Sequence, residues 1–239
     1  MMYKSLMPEF LSINASLPRA IELAAHYGFA GVDTSSGHLL APELELEAVR
    51  KQLAETGIRP GYVGLSPGRI PVPDADWQAA LVSLPEVARR AMQLGYRRAA
   101  LVVLDDFGIA LGLEYISPLT RRAPYANHFI QELRGMQALW NTVADLEALR
   151  PEQVVVVHVN DAPPLPRDEQ TVGDRALPGT TGVIDTTGFL GALCTIGYQG
   201  PVTCEPMASA IASLPDQSED AVLTQTSAAL DAALRKRAS

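Results

Sequence analysis

Residues 154–161, with the sequence VVVVHVND, decide how the rest of this chain is interpreted. Four consecutive valines predict a strand that is buried on both faces, as in a parallel sheet. The strand ends in a polar cluster of His158, Asn160 and Asp161. An apolar strand with polar groups at its carboxyl end is typical of α/β barrels and doubly wound sheets, because these folds collect their active residues there.

The composition indicates a single α/β domain covering residues 1–239. Of the 239 residues, 47% are hydrophobic and 19% are charged, and no linker rich in Gly, Ser or Pro divides the chain. The formal net charge of −8 argues against a nucleic-acid surface, which needs a basic face to gain from counterion release. The same charge is compatible with metal and small-molecule binding.

Compartment signals point to a cytoplasmic protein. The N-terminal residues do not show the basic-then-apolar pattern of a signal peptide, and no apolar run approaches 18 residues. We therefore expect neither secretion nor a membrane span. Cys194 and Cys204 lie in apolar runs and are predicted to be buried free thiols, with a catalytic thiol as the other interpretation.

Strand-like and helix-like segments alternate along most of the chain, which is typical of βαβ units and a parallel sheet. Besides residues 154–160, strands are predicted at 6–14, 30–34, 58–65, 98–104, 109–116 and 201–205. Helices are predicted at 17–27 (with Ser16 as N-cap), 42–56, 76–94, 128–140, 143–149, 185–196 and 216–237. The polar loop 161–183 is long enough to be a functional lid.

The alternation breaks in two places. Only four residues separate the predicted strand 98–104 from 109–116, whereas a parallel crossover needs a dozen or more. Either these two strands pair antiparallel, or a connecting helix is missing near 104/105. Near 141/142, two predicted helices follow each other with no strand between them. The count is seven strands, one short of a complete (β/α)8 barrel.

Three predicted strands end in side chains that can bind a metal, namely Glu114, His158 and Glu205. The carboxyl ends of parallel strands converge on one face, so residues distant in sequence can meet there. Two carboxylates and one imidazole suit Mn²⁺, Mg²⁺, Co²⁺ or Zn²⁺. Taken singly, each glutamate also fits a solvated strand end or a helix cap, and His158 also fits a structural histidine.

The loop after His158 carries candidate substrate contacts. Arg175 precedes the turn LPGTTG and could bind a phosphate, a carboxylate or a sugar hydroxyl, although a surface loop with ordinary charges is the alternative. Asn160 and Asp161 at the end of the central strand are the other predicted substrate contacts.

The motifs GLEYISP, VHVNDAP, RALPGTTGVID and GFLGALCTIGYQGPVTCEP resemble those of the sugar phosphate isomerase/epimerase family, the xylose isomerase-like TIM barrels. The opening SINASLPRAIELAAHYGFAGVD is similar to that family's first strand and helix. The resemblance implies a (β/α)8 barrel with a divalent metal ion held by Glu114, His158 and Glu205, and Arg175 as a substrate contact.

The chain departs from the family at the same two places where the alternation breaks. Family members carry a helix near 104/105, and near 141/142 a strand that supplies a metal-binding Asp and a substrate-binding His. We expect both segments to be missing, whether by natural deletion, by engineering or by loss from the recorded sequence. The missing strand would leave a gap in the barrel wall, which predicts a homodimer across it.

The resemblance further implies isomerisation or epimerisation of a sugar, sugar phosphate or keto-sugar by proton transfer through an enediolate. Glu114 and Glu205 would exchange protons as base and acid, and His158 would serve only as a metal ligand. A keto-inositol dehydratase-like lyase is one alternative. A degenerate, non-catalytic barrel that has lost a ligand is another. A barrel nuclease acting on abasic DNA is disfavoured by the four histidines and the acidic charge.

Overall fold

The computed structural model describes residues 1–66, 73–100, 110–112, 146–147, 149–166, 169, 174–206 and 208–236. Their strands are β1 (Tyr3–Leu6), β2 (Gly31–Ser35), β3 (Arg59–Gly64), β4 (Arg98–Ala100), β5 (Ala110–Gly112), β6 (Val157–Val159) and β7 (Pro201–Cys204). Their α-helices are α1 (Leu17–His26), α2 (Ser36–Leu40), α3 (Leu46–Thr56), α4 (Asp74–Leu94), α5 (Thr186–Thr195), α6 (Ala208–Ala212) and α7 (Glu219–Lys236). Two 3-10 turns cover Pro8–Leu11 and Pro151–Gln153.

The strands form one sheet in the order β5-β4-β3-β2-β1-β7-β6, and every pairing is parallel. Strand β1 lies between β2 and the late strand β7, so Ser5 is in register with both Gly31 and Thr203. A first strand that joins the second strand to one of the last is how the wall of a barrel closes. The predicted α/β architecture, a (β/α)8-type TIM barrel, is confirmed.

Helix boundaries follow from local sequence signals. Helix α1 begins after Ser16, whose hydroxyl accepts a hydrogen bond from the backbone N–H of Arg19, as predicted for an N-cap. Helix α5 begins in the same way after Asp185, whose side chain accepts from the N–H of Gly188. The apolar side of α1, including Ile21 and Ala24, is fully buried, because its apolar residues recur with helical spacing.

The predicted strand 6–14 is wrong. The strand at this point is Tyr3–Leu6, and the chain then turns into the 3-10 helix Pro8–Leu11. Pro8 has no N–H to give to a sheet ladder and suits the first turn of a helix. Ser12 then adopts a left-handed backbone conformation with φ 59°. The apolar residues of this segment are buried by a turn rather than by a strand.

The antiparallel alternative for the strands on either side of 104/105 is also wrong. Strands β4 and β5 pair parallel, with Arg98 opposite Ala110 and Ala100 opposite Gly112. A parallel pair needs a crossover between its two strands, which a hairpin cannot supply. Junctions 104/105 and 141/142, and the predicted helix 128–140, lie outside the described residues, and the two missing segments stay a prediction.

Two predictions of burial need correction. Cys204 is buried and free as predicted, but Cys194 is exposed on α5. The central strand spans only Val157–Val159, and Val157 is half-buried rather than buried, because β6 ends the described sheet and has one strand neighbour, β7. No helix in the described ranges is both long and apolar enough to cross a membrane.

The first strand and the last helix are tied by a buried cation. The Lys4 ammonium group on β1 donates to Ser227 Oγ at 2.7 Å and to Asp231 Oδ2 at 2.8 Å, both on α7. Its side chain is 11% exposed and lies over the ring of Phe29. A lysine buried to this extent needs such a carboxylate partner, so α7 is fixed against the barrel at β1.

Candidate functional site

The ends of β6 and β7 bring His158 and Glu205 together. Strand β6 pairs with β7 so that His158 is opposite Thr203, and the N–H of Glu205 donates to the carbonyl of Val159 at 3.1 Å. The Nδ1 atom of His158 lies 3.4 Å from Oε2 of Glu205, and each side chain is 11% exposed. Two residues 47 positions apart in the sequence (158 and 205) thus form one group at the carboxyl ends of the strands.

Arg175 from the long loop completes this group. Its Nη1 donates to Oε2 of Glu205, the same oxygen that faces His158. Burial would raise the pKa of Glu205, but the hydrogen bond and charge of His158 and the charge of Arg175 outweigh it, and the pKa is lowered. Glu205 is therefore ionised at neutral pH, as a metal ligand or a general base must be.

Aromatic side chains flank the imidazole of His158. The ring of Phe10, from the 3-10 turn after β1, meets it edge-on at 5.2 Å between centroids. The ring of Tyr62 on β3 lies 5.3 Å away and tilted by 50°. These apolar surfaces restrict water around His158 and limit its rotation. The turn that replaced the predicted strand at residues 6–14 therefore supplies part of the site wall.

Asp161 holds the long loop in place. Its carboxylate is fully buried and accepts four backbone N–H groups, from Ala162, Thr181, Gly182 and Ile184. Burial raises the pKa of Asp161, but these hydrogen bonds lower it to about 2. Asp161 was predicted to contact substrate; both of its oxygens are used by the backbone, so the role that its geometry supports is structural.

The candidate metal donors are only partly within the described residues. His158 and Glu205 offer an imidazole nitrogen and a carboxylate oxygen close together, which fits two positions of a site for Zn²⁺, Mn²⁺ or Co²⁺. Over the described ranges, no group of three metal-binding side chains occurs. Glu114, the third predicted ligand, lies outside them. Asn160 is half-buried and directly follows β6, and its predicted contact with substrate stays a prediction.

Asp33 on β2 is a polar residue that sequence reasoning did not single out. It is 1% exposed and accepts from Ser5 Oγ at 2.8 Å, from the N–H of Tyr62 at 3.0 Å and from Thr203 Oγ1 at 2.6 Å. Burial raises its pKa to about 6, against the lowering effect of these hydrogen bonds. The signal that could have found it is an aspartate inside the apolar strand AGVDT, where an unpaired charge is costly.

The Asp33 network requires glycine at position 61. A Cβ atom at Gly61 would lie 1.9 Å from Oδ1 of Asp33 and 2.8 Å from Oγ of Ser5. We expect Gly61→Ala to destabilise the protein by about 3 kcal/mol, because the buried network cannot move aside. Urea denaturation measures this change.

The control for Gly61→Ala is Gly191→Ala in α5, where a Cβ would meet no atom within 4 Å. This control should be neutral or more stable than the natural chain by up to about 1 kcal/mol, as alanine is the better helix former. Equal stability of the Gly61→Ala protein and the natural chain would contradict the tight packing around Asp33.

Burial of Asp33 also predicts a pH dependence of stability. Its folded-state pKa of about 6 lies above the ordinary value of 3.8, so the folded state holds the proton more tightly. The resulting stabilisation is complete below about pH 3.8 and is lost as the pH rises through 6, a change of roughly 3 kcal/mol. We expect Asp33→Asn, which does not titrate, to gain stability relative to the natural chain over this range. A flat difference between the two proteins from pH 4 to 7 in urea denaturation would rule this out.

The fold is shared with solved barrel structures. A xylose isomerase domain protein from Alicyclobacillus acidocaldarius subsp. acidocaldarius has a TM-score of 0.79 and 22% identity, over 100% of both chains. The IolI protein with a binding zinc atom has a TM-score of 0.70 and 12% identity, over 99% of both chains. A structure of L-ribulose 3-epimerase has a TM-score of 0.64 and 17% identity, over 100% of this chain and 96% of the other.

The sequence matches no protein-family profile and no curated protein. At 22% identity and below, the structural similarities concern the fold. They confirm the xylose isomerase-like TIM barrel that the motifs around Glu114, His158 and Glu205 predicted.

Proposed function

Given that the chain has the fold of the xylose isomerase-like TIM barrels, we propose that it is a metal-dependent isomerase or epimerase of a sugar, sugar phosphate or keto-sugar. The observation that carries the proposal is the ionised carboxylate of Glu205, held between His158 and Arg175 at the carboxyl ends of the strands. Barrel enzymes place their chemistry at this face. A solved relative in fold is named as an L-ribulose 3-epimerase, which supports a carbohydrate substrate.

His158 and Glu205 are the proposed metal ligands, together with Glu114. A zinc atom is named with the IolI structure, which shares this fold, and the donor types here also suit Mn²⁺, Mg²⁺ and Co²⁺. A bound divalent ion would polarise the substrate carbonyl and stabilise negative charge on its oxygen. His158 is fixed for this role by Phe10 and Tyr62, which pack against its ring.

Proton transfer is assigned to Glu205, with Glu114 as its proposed partner across the substrate. The lowered pKa of Glu205 keeps it unprotonated and able to take a proton from the carbon next to a carbonyl. Glu205, once protonated, can pass this proton to the neighbouring carbon, and the outcome is isomerisation. If Glu205 keeps the proton and Glu114 delivers another proton to the original carbon from the opposite face, the outcome is epimerisation.

Arg175 is the proposed substrate contact. Its guanidinium is 18% exposed and lies against Glu205, so it is already oriented toward the reacting groups. A planar guanidinium can donate two parallel hydrogen bonds to a phosphate, or to neighbouring sugar oxygens. Asp161 orders the backbone on the far side of this residue through the N–H groups of Thr181, Gly182 and Ile184. Arg175 is thereby presented by a fixed loop.

Solvent-deuterium exchange tests the proposal. The purified chain is incubated in D₂O with Mn²⁺ and a panel of ketoses, ketose phosphates and keto-inositols, and deuterium next to the carbonyl is measured by NMR. We expect exchange with at least one compound and its loss when a chelator removes the metal. No exchange with any compound, together with no bound divalent ion by metal analysis, would instead indicate a non-catalytic barrel.

We propose that residues 1–239 act as one domain, in the cytoplasm, and that a homodimer forms. Mass measurement by size-exclusion chromatography with light scattering tests the dimer, and a monomer at micromolar concentration would contradict it. A keto-inositol substrate that loses water in the exchange experiment would identify the lyase alternative.

A further inference from the structure

The carboxylate of Asp33 joins four strands of the sheet that carries the His158–Glu205 pair. Asp33 lies on β2, and its three hydrogen-bond donors come from β1, β3 and β7. The three donor residues are buried, and the aspartate itself is 1% exposed. A charged group this deeply buried is costly for stability, so packing alone does not account for an aspartate at this position.

One carboxylate oxygen of Asp33 is connected to Glu205. Oδ2 accepts the hydroxyl of Thr203 at 2.6 Å, the shortest of its three hydrogen bonds. Thr203 lies on β7, two residues before Glu205. The N–H of Glu205 continues the pairing to Val159 of β6, so the two side chains point to the same side of the sheet. Thr203 is also in register with His158 on β6. The hydrogen bond from Thr203 to Asp33 thus fixes the position of β7 next to Glu205 and His158.

The other oxygen is connected to His158. Oδ1 accepts the backbone N–H of Tyr62 at 3.0 Å, and the ring of Tyr62 packs against the imidazole of His158. The strand pairing β2–β3 shifts register between Val32 and Thr34, on either side of Asp33. The carboxylate therefore accepts a backbone N–H at an irregular point of the sheet and sets where the Tyr62 ring lies.

We propose that Asp33 is a positioning residue, which holds Glu205 through Thr203 and His158 through Tyr62. This role rests on the proposed function only because it takes His158 and Glu205 as the residues that act on metal and substrate. Ser5, the third donor, lies on β1, which carries neither residue. It donates to Oδ1, and this oxygen keeps the N–H of Tyr62 when the Ser5 hydroxyl is removed, whereas Thr203 is the donor to Oδ2. Removing the Thr203 hydroxyl should therefore disturb the site, and removing the Ser5 hydroxyl should leave it as it is.

The matched variants Thr203→Val and Ser5→Ala test this difference. Each removes one buried hydroxyl that donates to Asp33. With ¹⁵N-labelled histidine the protein gives signals from four side chains only, and a His158→Gln spectrum identifies those of His158. At one fixed pH, we expect the His158 signals to move in Thr203→Val and to stay unchanged in Ser5→Ala. Thr203→Ser, which keeps the hydroxyl, should restore the natural spectrum.

Unchanged His158 signals in Thr203→Val, or equal changes in both variants, would overturn the proposal. If Thr203→Val does not fold, Thr203→Cys, whose thiol is a weaker donor, takes its place with the same expected results. This measurement requires neither metal nor substrate, so it decides the role of Asp33 even if the proposed enzymatic function fails.

A Co²⁺ titration gives a second readout. Residues that orient metal ligands typically contribute a factor of ten or more to affinity, so we expect about tenfold weaker Co²⁺ binding by Thr203→Val. Ser5→Ala should bind Co²⁺ as the natural chain does. Equal affinity of all three proteins would contradict the positioning role. Absence of Co²⁺ binding by the natural chain would count against the proposed function alone, and the histidine spectra would then decide.

Discussion

Replacing Glu205 with glutamine is expected to lower the rate of deuterium exchange into substrate about a thousandfold. Glutamine keeps the shape of the side chain, but its amide is too weak a base to remove a proton from carbon. The amide is also a poor metal ligand. The oxygen that now faces both His158 and Arg175 would lose its charge. We therefore also expect weaker binding of Mn²⁺. Exchange rates and metal titration measure the two effects separately.

The control for Glu205→Gln is Glu152→Gln, which changes an exposed glutamate in the 3-10 turn before β6. This variant should exchange deuterium at the natural rate. Circular dichroism establishes that both proteins are folded. If Glu205→Gln, folded, retained more than about a tenth of the natural exchange rate, the general base would have to be another residue.

The second large effect is expected from Asp161→Ala, which should destabilise the protein by about 4 kcal/mol. Four backbone N–H groups would lose their acceptor, and buried donors without partners are costly. The loop carrying Arg175 should become accessible to protease in the same variant. Urea denaturation and limited proteolysis measure the two consequences.

Asp185→Ala is the matched comparison for Asp161→Ala. Asp185 also accepts a backbone N–H through its carboxylate, but only that of Gly188 at the start of α5. The loss of such a cap typically costs about 1 kcal/mol. Equal losses in the two variants would mean that the number of hydrogen bonds to Asp161 does not set its contribution.

Low pH should reduce the folding stability of the natural chain by protonating Asp161. Its folded-state pKa of about 2 lies below the ordinary 3.8, so its stabilisation is present above pH 3.8 and is lost as the pH falls through 2. The change is roughly 2 kcal/mol. Asp161→Asn should show a smaller loss of stability than the natural chain over this range. Parallel curves for the two proteins would contradict the assignment.

Sequence periodicity predicted the parts of the fold that obey simple local rules. Helix α1 has apolar residues at helical spacing and a serine at its N-cap, and both features appear as expected. The meeting of His158 and Glu205 could be predicted because parallel strands deliver their carboxyl ends to one face. That prediction needed only the order of the elements and no knowledge of side-chain positions.

The structural features that were not predicted have physical causes that a linear sequence does not display. Residues 6–14 are apolar enough for a strand, but Pro8 and the left-handed Ser12 make a turn. The contact of Asp161 with substrate stays a prediction. Its hydrogen bonds to the loop were not predicted, because three of the four backbone donors lie about twenty positions later in the chain. Asp33 escaped notice because its partners lie on three other strands.

The ion pair between Lys4 and Asp231 affects how the chain folds during its synthesis. Strand β1 leaves the ribosome well before β7, which covers its far edge, and before α7, which carries the partner of its charge. Strand β1 can pair early with β2, and β2 with β3, yet Lys4 stays without its carboxylate until α7 has been synthesised. Closure of the sheet between β1 and β7 is therefore expected only after α7 has been synthesised, and ribosome-bound chains that end before α7 should remain open and sensitive to protease.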